Sequence, residues 1–302
     1  MTNKFSLVAL ILFVFVACNK DEEIISDNPD INPGPQDPPA AVINYRVVEY
    51  TPAPGQYINE QISGFENVFT QEEACRQAQN RLTNNQYVSL GAWGGYIVIK
   101  FDESVSNSGD YDFAISSNAF DTSNEPGIVW VMKDTNGNGM ADDEWYELKG
   151  SHFGKEGYER NYWVTYQRPA AKEDTPWEDS NGEKGIVKWM GNYHSQDFYY
   201  PNWVKEDSYT LYGSRLPAQV YQDPETGVWT NFPFDWGYAD NFGVEFESDG
   251  HKNYFRISDA VTEDNDPANL SSIDFVKVQT AVNSTSGWLG ENSTEVCGFF
   301  SL

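Results

Sequence analysis

The chain has 302 residues and a formal net charge of −27 at pH 7, with 46 acidic and 19 basic side chains. A surface of this sign repels nucleic acid and anionic lipid, so the composition excludes them as partners, whereas it attracts cations and tolerates a neutral ligand. The three cysteines are too few for a thiol–metal cluster. Two of them, Cys75 and Cys297, could pair in an exported protein or remain free.

The N-terminus has the pattern of an exported lipoprotein. Lys4 precedes an apolar run over residues 5–17 that is too short to span a bilayer as a helix, so it reads as a signal peptide. Residues 15–18 (FVAC) resemble a lipobox, with Phe15 in place of the usual leucine. We therefore expect residues 1–17 to be removed and Cys18 to be lipidated. An ordinary signal peptide with a chance cysteine is the alternative.

Residues 18–43 are predicted to form a disordered linker that begins with the lipidated Cys18. The acidic residues 21–23 resemble the export signal of surface-exposed lipoproteins, although a solvated linker would look the same. The Pro-, Asp- and Asn-rich remainder lacks the apolar residues that would offset the entropy of ordering. We therefore expect a protein at the outer membrane and cell surface, held there only by its lipid.

Residues 44–302 are predicted to form a single large domain that is mainly β: an antiparallel, jelly-roll-like β-sandwich with one short helix and long loops. Short strand-like runs recur between clusters of Gly, Asn, Asp and Pro. These runs cover residues 96–101, 111–115, 127–132, 162–166, 254–257 and 273–280. Residues 171–186 and 261–270 are predicted to be loops.

One helix is predicted after residue 70. Thr70 can cap its N-terminus while Glu73 reaches back, which is the capping-box pattern. The small or apolar residues Ala74, Ala78 and Leu82 then share one helical face. The two asparagines at 84 and 85 are expected to end the helix.

Residues 134–144 match the first half of a calcium-binding loop. Side-chain oxygens recur at alternate positions before Gly139, which permits a sharp turn around one ion. Trp145 stands where an EF-hand has its bidentate glutamate, and the flanks look like strands, so we expect a hairpin or loop site rather than an EF-hand. The predicted calcium ligands are Asp134, Asn136, Asn138, Met140, Asp142, Asp143 and Glu144. The alternative is a turn held by Asx hydrogen bonds.

Two aromatic-rich segments, residues 195–203 and 232–241, place rings beside Asp, Asn and Gln. Rings and amides facing a shared hollow would suit a sugar or a large planar ligand. The alternative is that most of these rings are core residues, since aromatics dominate burial energetics. The candidate ligand-binding residues are His194, Tyr199, Tyr200, Trp203, Asp235, Trp236 and Tyr238.

No catalytic motif is evident in the sequence. The three histidines do not have the spacing of a zinc protease, and no G-x-S-x-G is present. Acidic residues are so abundant that no pair of them is specific. We therefore expect no enzymatic activity, with glycoside hydrolysis by two carboxylates as an open alternative.

Several stretches, taken in order, resemble a family of bacterial "cell surface protein" lipoproteins. They are residues 53–57, 88–96, 117–120, 125–129, 136–148, 234–241, 273–278, 287–291 and 293–295. The resemblance implies a surface lipoprotein without known catalysis, close to outer-membrane uptake systems such as those for corrinoids. The tail at residues 299–302 departs from the acidic ending of that family.

The sequence therefore predicts a non-catalytic lipoprotein that binds a nutrient, either a cobamide such as vitamin B12 or a glycan. It would pass the ligand to a TonB-dependent transporter, and calcium would rigidify the loop at 134–144. Axial binding of a cobalt corrinoid would require a free histidine, for which His194 is the candidate. The alternatives are a glycan-active hydrolase and an adhesive or structural surface module.

Overall fold

Alternation of apolar and polar residues, interrupted by turn-forming residues, divides the chain into many short strands. The computed structural model describes residues 43–302. The predicted signal peptide, Cys18 and the linker up to residue 42 lie outside the described residues. In chain order the strands are β1 (Tyr45–Thr51), β2 (Val88–Ser89), β3 (Tyr96–Ser106), β4 (Phe113–Ser116), β5 (Gly127–Met132), β6 (Trp145–Leu148), β7 (Glu159–Gln167), β8 (Thr175–Asp179), β9 (Lys184–Val187), β10 (Ser208–Arg215), β11 (Val220–Gln222), β12 (Trp229–Asn231), β13 (Phe246–Glu247), β14 (Lys252–Phe255), β15 (Ala260–Val261), β16 (Ser272–Thr280), β17 (Glu295–Val296) and β18 (Gly298–Ser301).

The strands form antiparallel sheets. The largest has six strands in the order β1-β3-β16-β5-β6-β15, and two four-stranded sheets have the orders β10-β7-β8-β9 and β13-β14-β4-β18. Two further pairs, β11-β12 and β17-β2, complete the set. The prediction of a mainly β, antiparallel, sandwich-like fold with one helix is confirmed. No helix among residues 43–302 is long and apolar enough to cross a membrane.

Strand β16 lies inside the six-stranded sheet, between β3 and β5. Both of its faces are covered. Val276 and Val278 join the main core, whereas Phe275 packs with Val98 and Met132 in a separate cluster. A register shift between Ile273 and Phe275 breaks the alternation of the strand, which explains why the sequence of β16 alternates only imperfectly.

The helix α1 spans Gln71–Thr83 and confirms its prediction. The Glu73 amide donates to the Thr70 hydroxyl at 3.2 Å, and the Thr70 amide donates to the Glu73 carboxylate at 3.1 Å, so both halves of the capping box form. The predicted apolar face is buried in the main core. The helix ends at Asn84, its C-cap. Two 3-10 helices, Ile257–Asp259 and Gly287–Leu289, complete the helical content of residues 43–302.

Two local predictions were wrong. Residues 171–186, predicted to be a loop, contain β8 and the start of β9, which form a hairpin. The Asp179 carboxylate organises its turn by accepting from the amides of Asn181 and Glu183. The predicted strand at 254–257 ends at Phe255 and continues into a 3-10 helix. Cys75 and Cys297 are free, and the tail forms β18, which pairs with β4.

Candidate functional site

The predicted calcium segment is the hairpin loop between β5 and β6, which pair up to Met132 and Trp145. The Asp134 carboxylate accepts from the Gly139 amide at 2.8 Å. The side-chain amides of Asn136 and Asn138 both donate to Asp142, at 3.1–3.3 Å. Three of the predicted ligand side chains, those of Asn136, Asn138 and Asp142, therefore contact one another, and Asp134 lies in the same loop. The strand flanks confirm that the loop closes a hairpin and does not join two helices.

Asp134 is the most enclosed of the four side chains. Burial acts to raise its pKa, but hydrogen bonds from the Gly139 amide and the Lys100 ammonium outweigh burial and hold the pKa below its ordinary value. Lys100 Nζ lies 3.4 Å from Asp134 Oδ2. The second oxygen, Oδ1, is buried and accepts no hydrogen bond from the described part of the chain. A buried acceptor without a donor is a position where a cation would compensate the charge.

The other three predicted ligands make different contacts. Asp143 accepts from the amide and hydroxyl of Thr135 at 3.0 and 2.5 Å. Glu144 accepts from the Tyr146 hydroxyl at 2.7 Å. Asp143 and Glu144 also line a separate cleft of about 440 Å³. Met140 is predicted to contribute its backbone carbonyl, and the exposure of its side chain does not bear on that role. Asn136, Asn138 and Asp142 contact one another in the hairpin, and Asp134 accepts from Gly139 in the same loop.

The expectation that the predicted ligand-binding rings face solvent in one shared hollow was wrong. Tyr199, Tyr200, Trp203 and Tyr238 are buried, and they belong to three different core clusters. The physical reason is that each large ring removes more apolar surface from water in the core than at a binding face. Asp235 is exposed and Trp236 is half-buried, and neither lines the clefts described here.

His194 does lie at an open site. It lines a cleft of about 580 Å³ between the segment that follows β1 and the loop that follows β9. His194 Nδ1 lies 2.8 Å from Glu60 Oε1, and the Tyr57 ring packs edge-on against the imidazole at 4.9 Å between centroids. The full lining is Asn59, Glu60, Gln61, Ile62, Glu66, Tyr193, His194, Ser195, Gln196, Asp197, Phe198 and Asn202.

Two apolar side chains project beside this polar lining. Tyr193 is 72 % exposed and Ile62 is 81 % exposed. Sequence reasoning missed Tyr193, because an exposed ring cannot be told from a buried one in an aromatic-rich sequence. It also missed Ile62 and Glu60, which line the cleft from a segment distant in sequence. The arrangement offers a ring face and an aliphatic face next to amides and carboxylates, which can hold a polar ligand that also has an apolar face.

A second group of side chains was not anticipated. One carboxylate oxygen each from Glu125, Asp240 and Glu295 lie within 4.8 Å of one another, and we call these three residues the acid cluster. Burial and the neighbouring carboxylate of Asp240 raise the pKa of Glu125 to about 8. Burial, with the carboxylate of Glu295, also raises the pKa of Asp240. The three residues are far apart in sequence, so no spacing pattern could have identified them.

Comparison with protein-family models and with curated proteins finds no match for this chain.

Proposed function

We propose that this protein is a non-catalytic, lipid-anchored surface protein that binds a nutrient ligand in the cleft at His194. The observation that carries the proposal is the cleft itself, which is open, about 580 Å³ in volume, and lined mainly by polar side chains. This volume lies within the range of ordinary small-molecule sites. Attachment through Cys18 and transfer to a TonB-dependent transporter are proposed from the sequence pattern alone.

A glycan is the first choice of ligand. Its hydroxyl groups would pair with the carboxylate and amide groups of Asp197 and Asn202, and its apolar ring face would stack on Tyr193. A neutral sugar also avoids the repulsion that the acidic surface imposes on anionic ligands.

A cobamide is the second choice, and the Glu60–His194 pair favours it. A carboxylate at Nδ1 orients an imidazole and leaves Nε2 as the metal-binding nitrogen, which is the usual arrangement behind metal-binding histidines. Among residues 43–302, no hydrogen bond to Nε2 of His194 is formed. That nitrogen could therefore serve as the axial ligand of a corrinoid cobalt.

Calcium has a structural role in the proposal. Asp134, Asn136, Asn138 and Asp142 would bind one ion in the β5–β6 hairpin, with oxygen donors of the kind that calcium prefers. The hairpin belongs to the six-stranded sheet, so the ion would fix the long loop that joins the ends of β5 and β6. The alternative, a turn held by Asx hydrogen bonds, is also compatible with the contacts from Asn136 Oδ1 and Asn138 Oδ1 to backbone amides.

The test is equilibrium binding of the full chain to a glycan panel and to cobalamin. Tyr193→Ala should weaken glycan binding about two- to twelvefold, because a stacking ring contributes roughly 0.5–1.5 kcal/mol. Tyr212→Ala is the matched control, since Tyr212 on β10 is also exposed and lies outside the cleft. If cobalamin binds, His194→Gln should abolish the spectral change of axial coordination.

Two results would contradict the proposal: no binding of any glycan or of cobalamin, or binding that Tyr193→Ala and His194→Gln leave unchanged. Release of reducing sugar from a bound glycan would instead support the alternative of a hydrolase that uses the cleft carboxylates.

A further inference from the structure

The acid cluster is assembled by three segments that the fold holds side by side. The Glu125 amide donates to the Asp240 carbonyl at 3.1 Å. Close by, Gly127 and Ala239 pair in an isolated antiparallel β-bridge. Glu295 lies in β17, and its amide donates to Asp240 Oδ2 at 2.9 Å. Backbone contacts therefore fix the positions of all three carboxylates.

Each carboxylate uses one oxygen for a protein donor. Glu125 Oε1 accepts from the Ser293 amide at 3.0 Å, and Glu295 Oε2 accepts from the Asn118 side-chain amide at 3.3 Å. Asp240 Oδ2 accepts from the Glu295 amide. These three donors are N–H groups. The carboxyl groups of Glu125 and Glu295 also lie close enough to hydrogen-bond each other, and the Ser117 hydroxyl lies beside Asp240.

The second oxygens of the two deepest members have no donor. Asp240 is 1 % exposed and Glu295 is 3 % exposed, yet Asp240 Oδ1 and Glu295 Oε1 accept no hydrogen bond from the described residues. An unpaired buried acceptor costs roughly 1–3 kcal/mol, and more when it is charged, so two in one cluster require compensation.

No protein cation supplies that compensation. In the part of the chain from residue 43 onward, no lysine, arginine or histidine nitrogen lies within 4.0 Å of a carboxylate oxygen of the acid cluster. Buried carboxylates are normally paired, coordinate a metal ion or become neutral by taking up a proton. Three carboxylates that converge without a basic partner therefore have the composition of a cation site.

We propose that Glu125, Asp240 and Glu295 bind a hard divalent cation of the calcium class. The donors are oxygens only, which suits Ca²⁺ or Mg²⁺ and disfavours metals that select thiolate or imidazole. Asp240 Oδ1 and Glu295 Oε1, the oxygens without a donor, are those that the ion would take, and one carboxylate oxygen of Glu125 lies within 4.8 Å of an oxygen of each of the other two residues. The ion would cross-link the segment before β5, the segment after residue 239 and β17.

This site is separate from the β5–β6 hairpin and does not depend on the ligand cleft. It can be isolated experimentally in the double variant Asp134→Asn/Asp142→Asn, which removes both carboxylates from the hairpin donor set. The probe is Ca²⁺ alone, added to the full chain after treatment with chelator, and the readouts are calorimetric titration and ions retained per chain in native mass spectrometry.

We expect the hairpin double variant to retain one bound Ca²⁺, and Asp240→Asn/Glu295→Gln in that background to lose it. Glu245→Gln is the matched control, because Glu245 is also a partly buried carboxylate with a raised pKa and lies outside the cluster. It should leave the ion bound. No Ca²⁺, Mg²⁺ or Mn²⁺ retained by the hairpin double variant would overturn the proposal, and so would retention in the cluster variant.

Thermal melting distinguishes an ion from shared protons. In chelator, Asp240→Asn/Glu295→Gln should melt at or above the temperature of its parent, because it removes buried charge without changing shape. In calcium, the parent should melt above the variant. If the variant melts lower by the same amount in both solutions, the carboxylates share protons and the proposal fails. Circular dichroism in chelator checks that the variant is folded.

Discussion

Loss of the proposed calcium ion from the β5–β6 hairpin should lower the melting temperature of this protein. Asp134 and Asp142 supply two carboxylates, and Asn136 and Asn138 add neutral amides. This is fewer charges than a tight cytosolic site has, so a dissociation constant of about 10⁻⁴ M, the tight end of extracellular modules, is expected. At about 5 mM calcium, linkage then gives about 2.3 kcal/mol. In a domain of this size that corresponds to roughly 5–9 °C.

The assay is differential scanning calorimetry of the wild type, of Asp134→Asn/Asp142→Asn and of Asp102→Asn, each with calcium and with chelator. Asp102 is the matched control, since it carries the same charge on an exposed position of β3. The calcium-induced shift in melting temperature should be as large in Asp102→Asn as in the wild type. In the double variant, only the part of that shift contributed by the acid cluster should remain. An equal shift in the double variant and the wild type would refute the reasoning.

Three further predictions concern local features of the fold. Thr70→Ala should destabilise the protein by about 1 kcal/mol through loss of the helix cap, measured by urea unfolding; an unchanged midpoint would contradict it. Gly91→Ala should lower the free energy of unfolding by at least about 2 kcal/mol, because the φ angle of Gly91 is +72° and a Cβ would lie 2.1 Å from the Ala53 carbonyl oxygen. A soluble variant with wild-type stability would show that this turn is not rigid. Burial raises the pKa of Glu245 from 4.5 to about 7. Between these two pH values the folded state keeps a proton that the unfolded state has released. The stability that this group contributes is therefore lost as the pH rises from 4.5 through about 7. Glu245→Gln, which keeps an acceptor for the Gly237 amide, should change little near pH 4.5 and stabilise at about pH 8.5; equal effects at the two pH values would disprove the assignment.

The helix and the hairpin were predicted from sequence because their stabilising contacts are local. Thr70 and Glu73 bond to each other three residues apart, and Asp134 bonds to Gly139 five residues apart. The β8–β9 hairpin was missed although its turn is equally local. Neither strand shows a clean apolar alternation: β8 has the sequence TPWED, and β9, the edge strand of its four-stranded sheet, has the sequence KGIV and is largely exposed.

The identity of the binding cleft was only partly predictable. His194 was selected from its aromatic context and does line the largest of the described clefts. Tyr199, five residues away, was selected for the same reason and is core. Both lie in one short stretch of chain. His194 is held at the cleft by Glu60 and Tyr57, which approach from a segment distant in sequence.

The sequence by itself determined the mainly β class, the capped helix and the acidic, amide-rich loop of the hairpin, because periodicity, caps and turns act over a few residues. Only the tertiary structure decided which aromatic rings are buried and that Glu125, Asp240 and Glu295 meet. Those outcomes depend on packing between segments that are distant along the chain, where burial and desolvation are properties of the assembled fold and not of any one stretch.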